Sequence, residues 1–246
     1  MTILILQPVR PTNPPSLREK ADELLRWLPR ANLAMDFDII QDDSAVPIPA
    51  HPSLYMRHAT VRNYMLNRYL THEHTHVLWI DSDLIDYPRT LPTLLMQAAE
   101  QCPKCRSDYR IKSTEMGDID TRWLCGKCGV VWLGDHIVAP FAMLDKWPHR
   151  FYDIGGFIEH GNRARMWPPY FEQDGAVIEL DSVGCCYLAP AALYHAGVRY
   201  APPPTDYYVE HWSVMQEAKR RGYRVCALRD VRVTHAWLPD YGLGLN

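Results

Sequence analysis

A chain of 246 residues with 47% apolar content has room for one large domain or two small ones with a sizeable core. A formal net charge of −3 excludes a globally basic nucleic-acid binder and leaves only a local basic patch open. No run approaches the roughly 18 apolar residues of a membrane span, and the opening ILIL is too short, and lacks the charged start, for a signal peptide, so a soluble, cytoplasmic protein is expected.

Residues 2–10, TILILQPVR, read as a buried strand ended by a turn at Pro11, Pro14 and Pro15. Ser16 with Glu19 three residues on has the form of a capping box, and Leu17, Ala21, Leu24, Leu25 and Leu28 follow at helical spacing. MDFDII, residues 35–40, is a second strand that runs into Gln41, Asp42 and Asp43. A proline-rich loop over 47–52 leads to a helix over about 54–70, and HVLWI, residues 76–80, is a third strand. This alternation predicts βαβ units in a parallel sheet, where ligands bind at the carboxyl ends of the strands. Both acidic clusters, Asp42 with Asp43 and Asp81 with Asp83, fall at such ends. His72, His74 and His76 in THEHTH lie before a buried strand, at the opposite end from these clusters, and read as a solvated turn.

After a helix over about 89–100 the character changes. Cys102, Cys105, Cys125 and Cys128 form two Cys-x-x-Cys pairs, four of seven cysteines in all. Four thiolates at this spacing suit tetrahedral Zn²⁺ in a reducing compartment, and the segment resembles a zinc ribbon. Its plain role is a structural staple for an insertion too small to build a core. Between residues 101 and 134, Lys104, Arg106, Arg110, Lys112, Arg122 and Lys127 outnumber Asp108, Glu115, Asp118 and Asp120. With Tyr109, Trp123 and Trp132 available to stack on bases, a nucleic-acid contact is the sharper role. The α/β pattern resumes at 136–144, and 148–175 read as aromatic-rich loops and hairpins over a site. Residues 176–190 read as strand, turn, strand; 206–223 as a helix stopped at Gly222; and 224–237 as the last strand or strand pair.

A strand that ends in Asp81-Ser82-Asp83 has two readings: the carboxylates cap the following turn, or a cation lies between them, because carboxylates so close repel. VLWIDSDL at 77–84 is similar to the Asp-x-Asp strand end of the GT-A nucleotide-sugar glycosyltransferases. DSVGCCYLAPAALYHAGVRY at 181–200 resembles their acceptor-side strand and helix. EHWSVMQEAKRRGYRVCALRDVRVTH at 210–235 resembles their closing helix, strand and His. Family 2-like, mannan-polymerase-like and phage-type DNA glycosyltransferases are the nearest kin on this pattern. The resemblance implies a GT-A fold, α/β and Rossmann-like, with a mostly parallel sheet and helices on both faces. Residues 1–100 would be its nucleotide-sugar half, 101–134 a four-cysteine zinc-ribbon insertion, and 135–246 its acceptor half.

It further implies a hexosyltransferase-like enzyme whose donor is a nucleoside-diphosphate sugar, UDP-sugar favoured. Asp83 would bind Mn²⁺ or Mg²⁺ directly, His235 would complete the metal site, and Asp81 would meet the ribose and reach the metal through water. Gln7, Arg10, Asp42 and Asp43 would cradle the nucleoside, while Arg57, Arg62 and Asn63 face phosphates or base. Glu210 or Asp206, spaced for one face at the start of the closing helix, would serve as base to the acceptor hydroxyl, and Gly155-Gly156 would sit on a closing loop. Each has a plainer reading: loop acids, solvent-facing helix charges, helix N-terminal charge compensation and a strand-end His.

The acceptor follows from the ribbon. If it contacts nucleic acid, a hydroxymethylated pyrimidine in DNA is the acceptor expected; if it is only structural, a glycan or lipid takes its place. Two other classes compete. A nucleotidyltransferase would open with a glycine-rich basic loop, and QPVRPTNPP has no glycine. A non-catalytic zinc-ribbon nucleic-acid-binding module would not need Asp81, Asp83, Glu210 and His235 together.

Overall fold

The computed structural model describes residues 1–9, 13–42, 54–102, 107, 110–113, 122–129, 131–133, 136–145 and 150–236. In chain order the first half runs β1 (Thr2–Pro8), α1 (Pro15–Ala31), β2 (Asp36–Asp42), α2 (Leu54–Tyr69), β3 (His74–Ile80), β4 (Leu84–Asp86) and α3 (Leu91–Glu100). Three short strands follow, β5 (Arg110–Ser113), β6 (Arg122–Cys125) and β7 (Val131–Leu133). Then come β8 (Ile137–Leu144), β9 (Ile158–Glu159), β10 (Asn162–Arg163), β11 (Val177–Glu179), β12 (Cys186–Pro190), α4 (Ala191–His195), α5 (His211–Arg220) and β13 (Val225–His235).

The main sheet has the order β11-β13-β8-β12-β3-β1-β2, with β4 paired to the end of β13. β1 is parallel to β2 and β3, and β8 is parallel to β13. β12 lies between these two groups and is antiparallel to both β3 and β8, so the five long strands β1, β2, β3, β8 and β13 all point one way. Their carboxyl ends form a single edge. β12 enters the sheet from that edge, with Cys186 opposite Ile80, which brings the preceding turn beside the end of β3. The sheet is thus mostly parallel, as expected, with β12 running against its two neighbours. β4 and β11 also run against it.

Strand alternation sorts the core. Leu4, Leu6, Val77 and Trp79 face one side and pack with Met65 and Leu66 of α2, Tyr194 of α4 and Val214 and Met215 of α5. Ile3, Ile5, Leu78 and Ile80 face the other and pack with Leu24, Leu25 and Leu28 of α1 and Leu91 and Leu95 of α3. Each such fully buried side chain contributes about 1.5–3 kcal/mol of transfer free energy, enough in sum to hold helices on both faces of the sheet. β5, β6 and β7 form a separate antiparallel sheet of three strands. No helix among the described residues is long and apolar enough to cross a membrane.

Three local expectations are corrected. α1 begins at Pro15, with Pro14 at the N-cap and no side-chain cap. The capping box at Ser16 is not formed, because proline suits the first turn, where its missing N–H would have no partner; the Pro14 carbonyl accepts from Leu17 N at 3.0 Å. His74 and His76 are not in a solvated turn. They are buried residues of β3, and His74 Nε2 lies 2.9 Å from Asp38 Oδ2. Finally, α5 starts only at His211. Asp206 therefore sits in an exposed turn and does not share a helical face with Glu210.

Candidate functional site

The carboxyl edge gathers Gln7 at the end of β1, Asp42 at the end of β2, Asp81 and Asp83 after β3, Asp153 after β8, and His235 at the end of β13. Asp83 and His235 are each 1% exposed, and His235 Nε2 lies 2.9 Å from Asp83 Oδ1. His235 Nδ1 is 2.7 Å from the Ala236 carbonyl oxygen. A carbonyl only accepts, so this contact assigns the ring proton to Nδ1. A neutral ring then presents the lone pair of Nε2 to a carboxylate oxygen. Two acceptors at this distance are reconciled by a shared cation, either a second proton on the ring or a divalent metal. The donor set of one carboxylate oxygen and one imidazole nitrogen suits Mn²⁺ or Mg²⁺. The Asp81 carboxylate is turned elsewhere, and Asp81, Asp83 and His235 do not form a three-ligand cluster among the described residues.

Arg62, on α2, is where Asp81 turns. Only 4% of its side chain is exposed. Its Nη2 donates to Asp81 Oδ1 at 2.7 Å and its Nε to Glu210 Oε1 at 3.3 Å. The guanidinium lies 4.9 Å from the Trp79 ring centroid and 5.8 Å from that of Tyr200, a cation–π setting that helps carry a buried charge. Burial opposes that charge, but Asp81 foremost, then Tyr200 and Glu210, raise its pKa well above the ordinary arginine value. Glu210 stands at the N-cap of α5 without capping it. Burial would raise its pKa, yet His211, His58 and Arg62 outweigh burial and hold it well below the usual carboxylate range. His211 itself is pushed down to about 4, first by burial, with Arg62 adding to it against Glu210. Arg62, whose guanidinium is always charged, joins His211 and His58 in holding Glu210 ionised.

On the donor side, a cavity of about 310 Å³ is lined by Gln7, Val9, Arg18, Asp22, Gln41 and Ser82, among others. Gln41 Nε2 donates to Gln7 Oε1 at 2.7 Å. Gln7 Nε2 is buried and has no hydrogen-bond partner among the described residues. Asp42 is buried, and Tyr69 Oη donates to its Oδ2 at 3.0 Å. Arg10 and Asp43 lie outside the described residues. Arg57 is exposed on α2. Asn63 uses both ends of its amide on the backbone of Tyr200, at 2.8 and 2.9 Å, and so is turned from phosphate or base toward a structural clamp.

Sequence reasoning missed Asp153, His58 and His211. Asp153 Oδ1 accepts from Gly156 N at 2.9 Å. A Cβ on Gly156 would come to 2.5 Å from Oδ2, and one on Gly184 would also fall inside van der Waals contact of that oxygen. Neither glycine has the positive φ that would itself demand glycine; both are open because the carboxylate fills the space. Burial above all, then Asp81 and Glu210, push Asp153 up to about 7. Its signal in the sequence was the Asp-x-Gly-Gly run at 153–156, read for its glycines alone. Asp181, before β12, is held by Lys219 Nζ and by Gly161 N at 2.8 Å. Burial would raise its pKa, but these two partners lower it.

In the Cys-rich unit the ligand atoms of Cys102, Cys125 and Cys128 lie within 4.8 Å of one another. Cys102 Sγ is 3.5 Å from Cys128 Sγ, and the N–H groups of Lys127 and Cys128 point at Cys125 Sγ, each at 3.4 Å, as in a metal-binding knuckle. Cys105 lies outside the described residues. The arrangement fits Zn²⁺. The purified protein is expected to carry one zinc per chain by elemental analysis, and Cys125→Ser to lose it. Protein free of zinc whose melting temperature ignores both added zinc and chelator would contradict this.

The sequence matches no family model and no curated protein. Among solved structures, the chain has a likeness to a glycosyltransferase involved in glycosylation of the major capsid of PBCV-1. Identity there is 18%, TM-score 0.26, and the match covers 37% of this chain and 41% of that one, so this chain spans less than half of that structure's length. A second likeness is to a protein described as a nucleotide-diphospho-sugar transferase from Desulfovibrio desulfuricans G20, at 11% identity and TM-score 0.32, covering 95% of this chain and 80% of that one.

Proposed function

We propose that the chain transfers a sugar from a nucleoside-diphosphate sugar to a hydroxyl acceptor, on a GT-A arrangement of its sheet. The observation that carries this is the buried Asp83–His235 pair, Nε2 to Oδ1 at 2.9 Å, on the edge where the parallel strands end. A divalent cation bound there would stabilise the negative charge that grows on the departing diphosphate.

The chain's own groups supply the rest. Arg62 fixes the orientation of the Asp81 carboxylate, whose side chain is 18% exposed and open to a ribose. The cavity at Gln7 takes the nucleoside, with Arg10, Asp42 and Asp43 as the remainder of the cradle. Gln7 Nε2 is a buried donor that needs an acceptor, and a uracil carbonyl provides one, which favours a UDP-sugar. Residues 1–100 form the donor half and 135–246 the acceptor half. The finer reading of the acceptor, a hydroxymethylated pyrimidine in DNA flipped out of its duplex, rests on the place of the Cys-rich unit in the chain between α3 and β8.

Thermal denaturation with Mn²⁺ and a panel of nucleotide-sugars tests this. A donor at 100 times its Kd adds about 2.7 kcal/mol, a rise in Tm of roughly 5–11 °C at this chain length. No shift with any donor, and no donor hydrolysis, would sink the reading.

A further inference from the structure

We propose that Asp153 is the group that takes the proton from the acceptor hydroxyl, an inference that rests on the sugar-transfer reading above. Its placement comes first. The turn before β12 meets the end of β3 where Cys185 O accepts from Asp81 N at 2.9 Å, and Gly184, one residue earlier, lies against Asp153 Oδ2. On the other side, the Tyr152 ring stacks on His235 with centroids 3.5 Å apart. Asp153 is thus pinned between the Asp81 strand end and the His235 strand end, partly open to solvent.

The other carboxylates of the edge are engaged. Asp81 and Glu210 share Arg62, Asp83 meets His235, and Asp181 meets Lys219. Asp153 has no cationic partner among the described residues. Its Oδ1 is fixed by one backbone N–H, and Oδ2 packs against Gly156 and Gly184, two separate segments whose missing side chains leave room for the carboxylate. A carboxylate held by one backbone N–H, without an ion pair among the described residues and partly open to solvent between the two strand ends, is placed to accept a hydroxyl proton.

The charged and titratable groups that face it are Asp81 at the end of β3, Glu210 at the start of α5, His235 at the end of β13 and Cys185 before β12. Burial and the two carboxylates raise its proton affinity, whereas Glu210 is held ionised and is a correspondingly weak base. In the step itself the acceptor oxygen forms a bond to the anomeric carbon. The bond from that carbon to the phosphate oxygen breaks, and its electron pair leaves with the nucleoside diphosphate. The hydroxyl proton passes to the Asp153 carboxylate. Nothing is oxidised or reduced.

The test compares Asp153→Asn with the wild type, using Mn²⁺ and the donor that gives the thermal shift. The variant is expected to lose kcat on the order of 10²–10⁴-fold, to keep the nucleotide-induced rise in Tm, and to lose the acid limb of the wild-type pH–rate profile. Should that variant not fold, Gly184→Ala replaces it: the added Cβ collides with Oδ2 and is expected to lower kcat with the nucleotide shift unchanged. Wild-type kcat in the variant that folds, or a slow Asp153→Asn that keeps the acid limb, overturns the assignment. A sugar found covalently on Asp153 by intact mass overturns it too, since the residue is then a nucleophile. Wild-type protein that binds no nucleoside diphosphate brings down the sugar-transfer reading and this assignment with it; failure of the assignment alone is seen only in the variants.

Discussion

Asp83→Ala is expected to lose sugar transfer on the order of 10²–10³-fold, the scale for removing one preorganised group that stabilises developing charge. Asp83 is 1% exposed, and its oxygen faces the imidazole nitrogen of His235 at 2.9 Å. The carboxylate two residues before it, Asp81, is engaged by Arg62 at 2.7 Å. The same substitution is expected to abolish the rise in Tm produced by Mn²⁺ alone, a readout that needs no donor or acceptor. His235→Ala should weaken that rise in the same direction. An Asp83→Ala protein that Mn²⁺ still stabilises as it does the wild type would place the cation elsewhere.

Arg62→Met is expected to cost about 3–5 kcal/mol of folding stability, because it leaves two carboxylates in a buried setting without their cation. At this chain length that is a fall in Tm of roughly 6–20 °C. The effect has a sign in pH. In the wild type, Glu210 has a depressed folded pKa, so its contribution is fully present above the unfolded carboxylate pKa and is lost only as pH falls through the lower, folded value. In Arg62→Met, Glu210 keeps only His211 and His58 against its burial, and its pKa rises. The gap in stability between the variant and the wild type then narrows as pH falls through the variant's raised value. Arg62→Met combined with Glu210→Gln should recover part of the loss at neutral pH. Equal denaturant midpoints for wild type and Arg62→Met at pH 7 would show that the buried pairs carry little.

Much of the scaffold was legible in the residues. Leu17, Ala21, Leu24, Leu25 and Leu28 repeat at helical spacing, and all five are buried on α1. The apolar run before Asp81 is a fully paired inner strand, so the two carboxylates do emerge at a strand end. Less legible were contacts made by long side chains. Arg62 reads as one more helix arginine, and only the packing of α2 against Trp79 and Tyr200 makes it a buried cation. His74 and His76 read as solvent-facing because polar residues surround them, yet β3 continues through both and buries them. Asp206 and Glu210 read as one face because helix spacing was extended too far upstream of His211.

The alternation of strands and helices, the two Cys-x-x-Cys pairs and the acidic strand ends can all be read from the residues, because periodicity and spacing are local properties of the chain. Packing in three dimensions settled which carboxylate meets which cation. Asp81 pairs with an arginine from α2, and Asp83 with a histidine from the last strand. Asp153 is left with two glycines and no counter-ion among the described residues. The reason is that β12 runs against its neighbours. That reversal delivers Gly184 and Cys185 to the edge where β3, β8 and β13 end, and electrostatic partners at such an edge are set by proximity in space, which no spacing along the chain encodes.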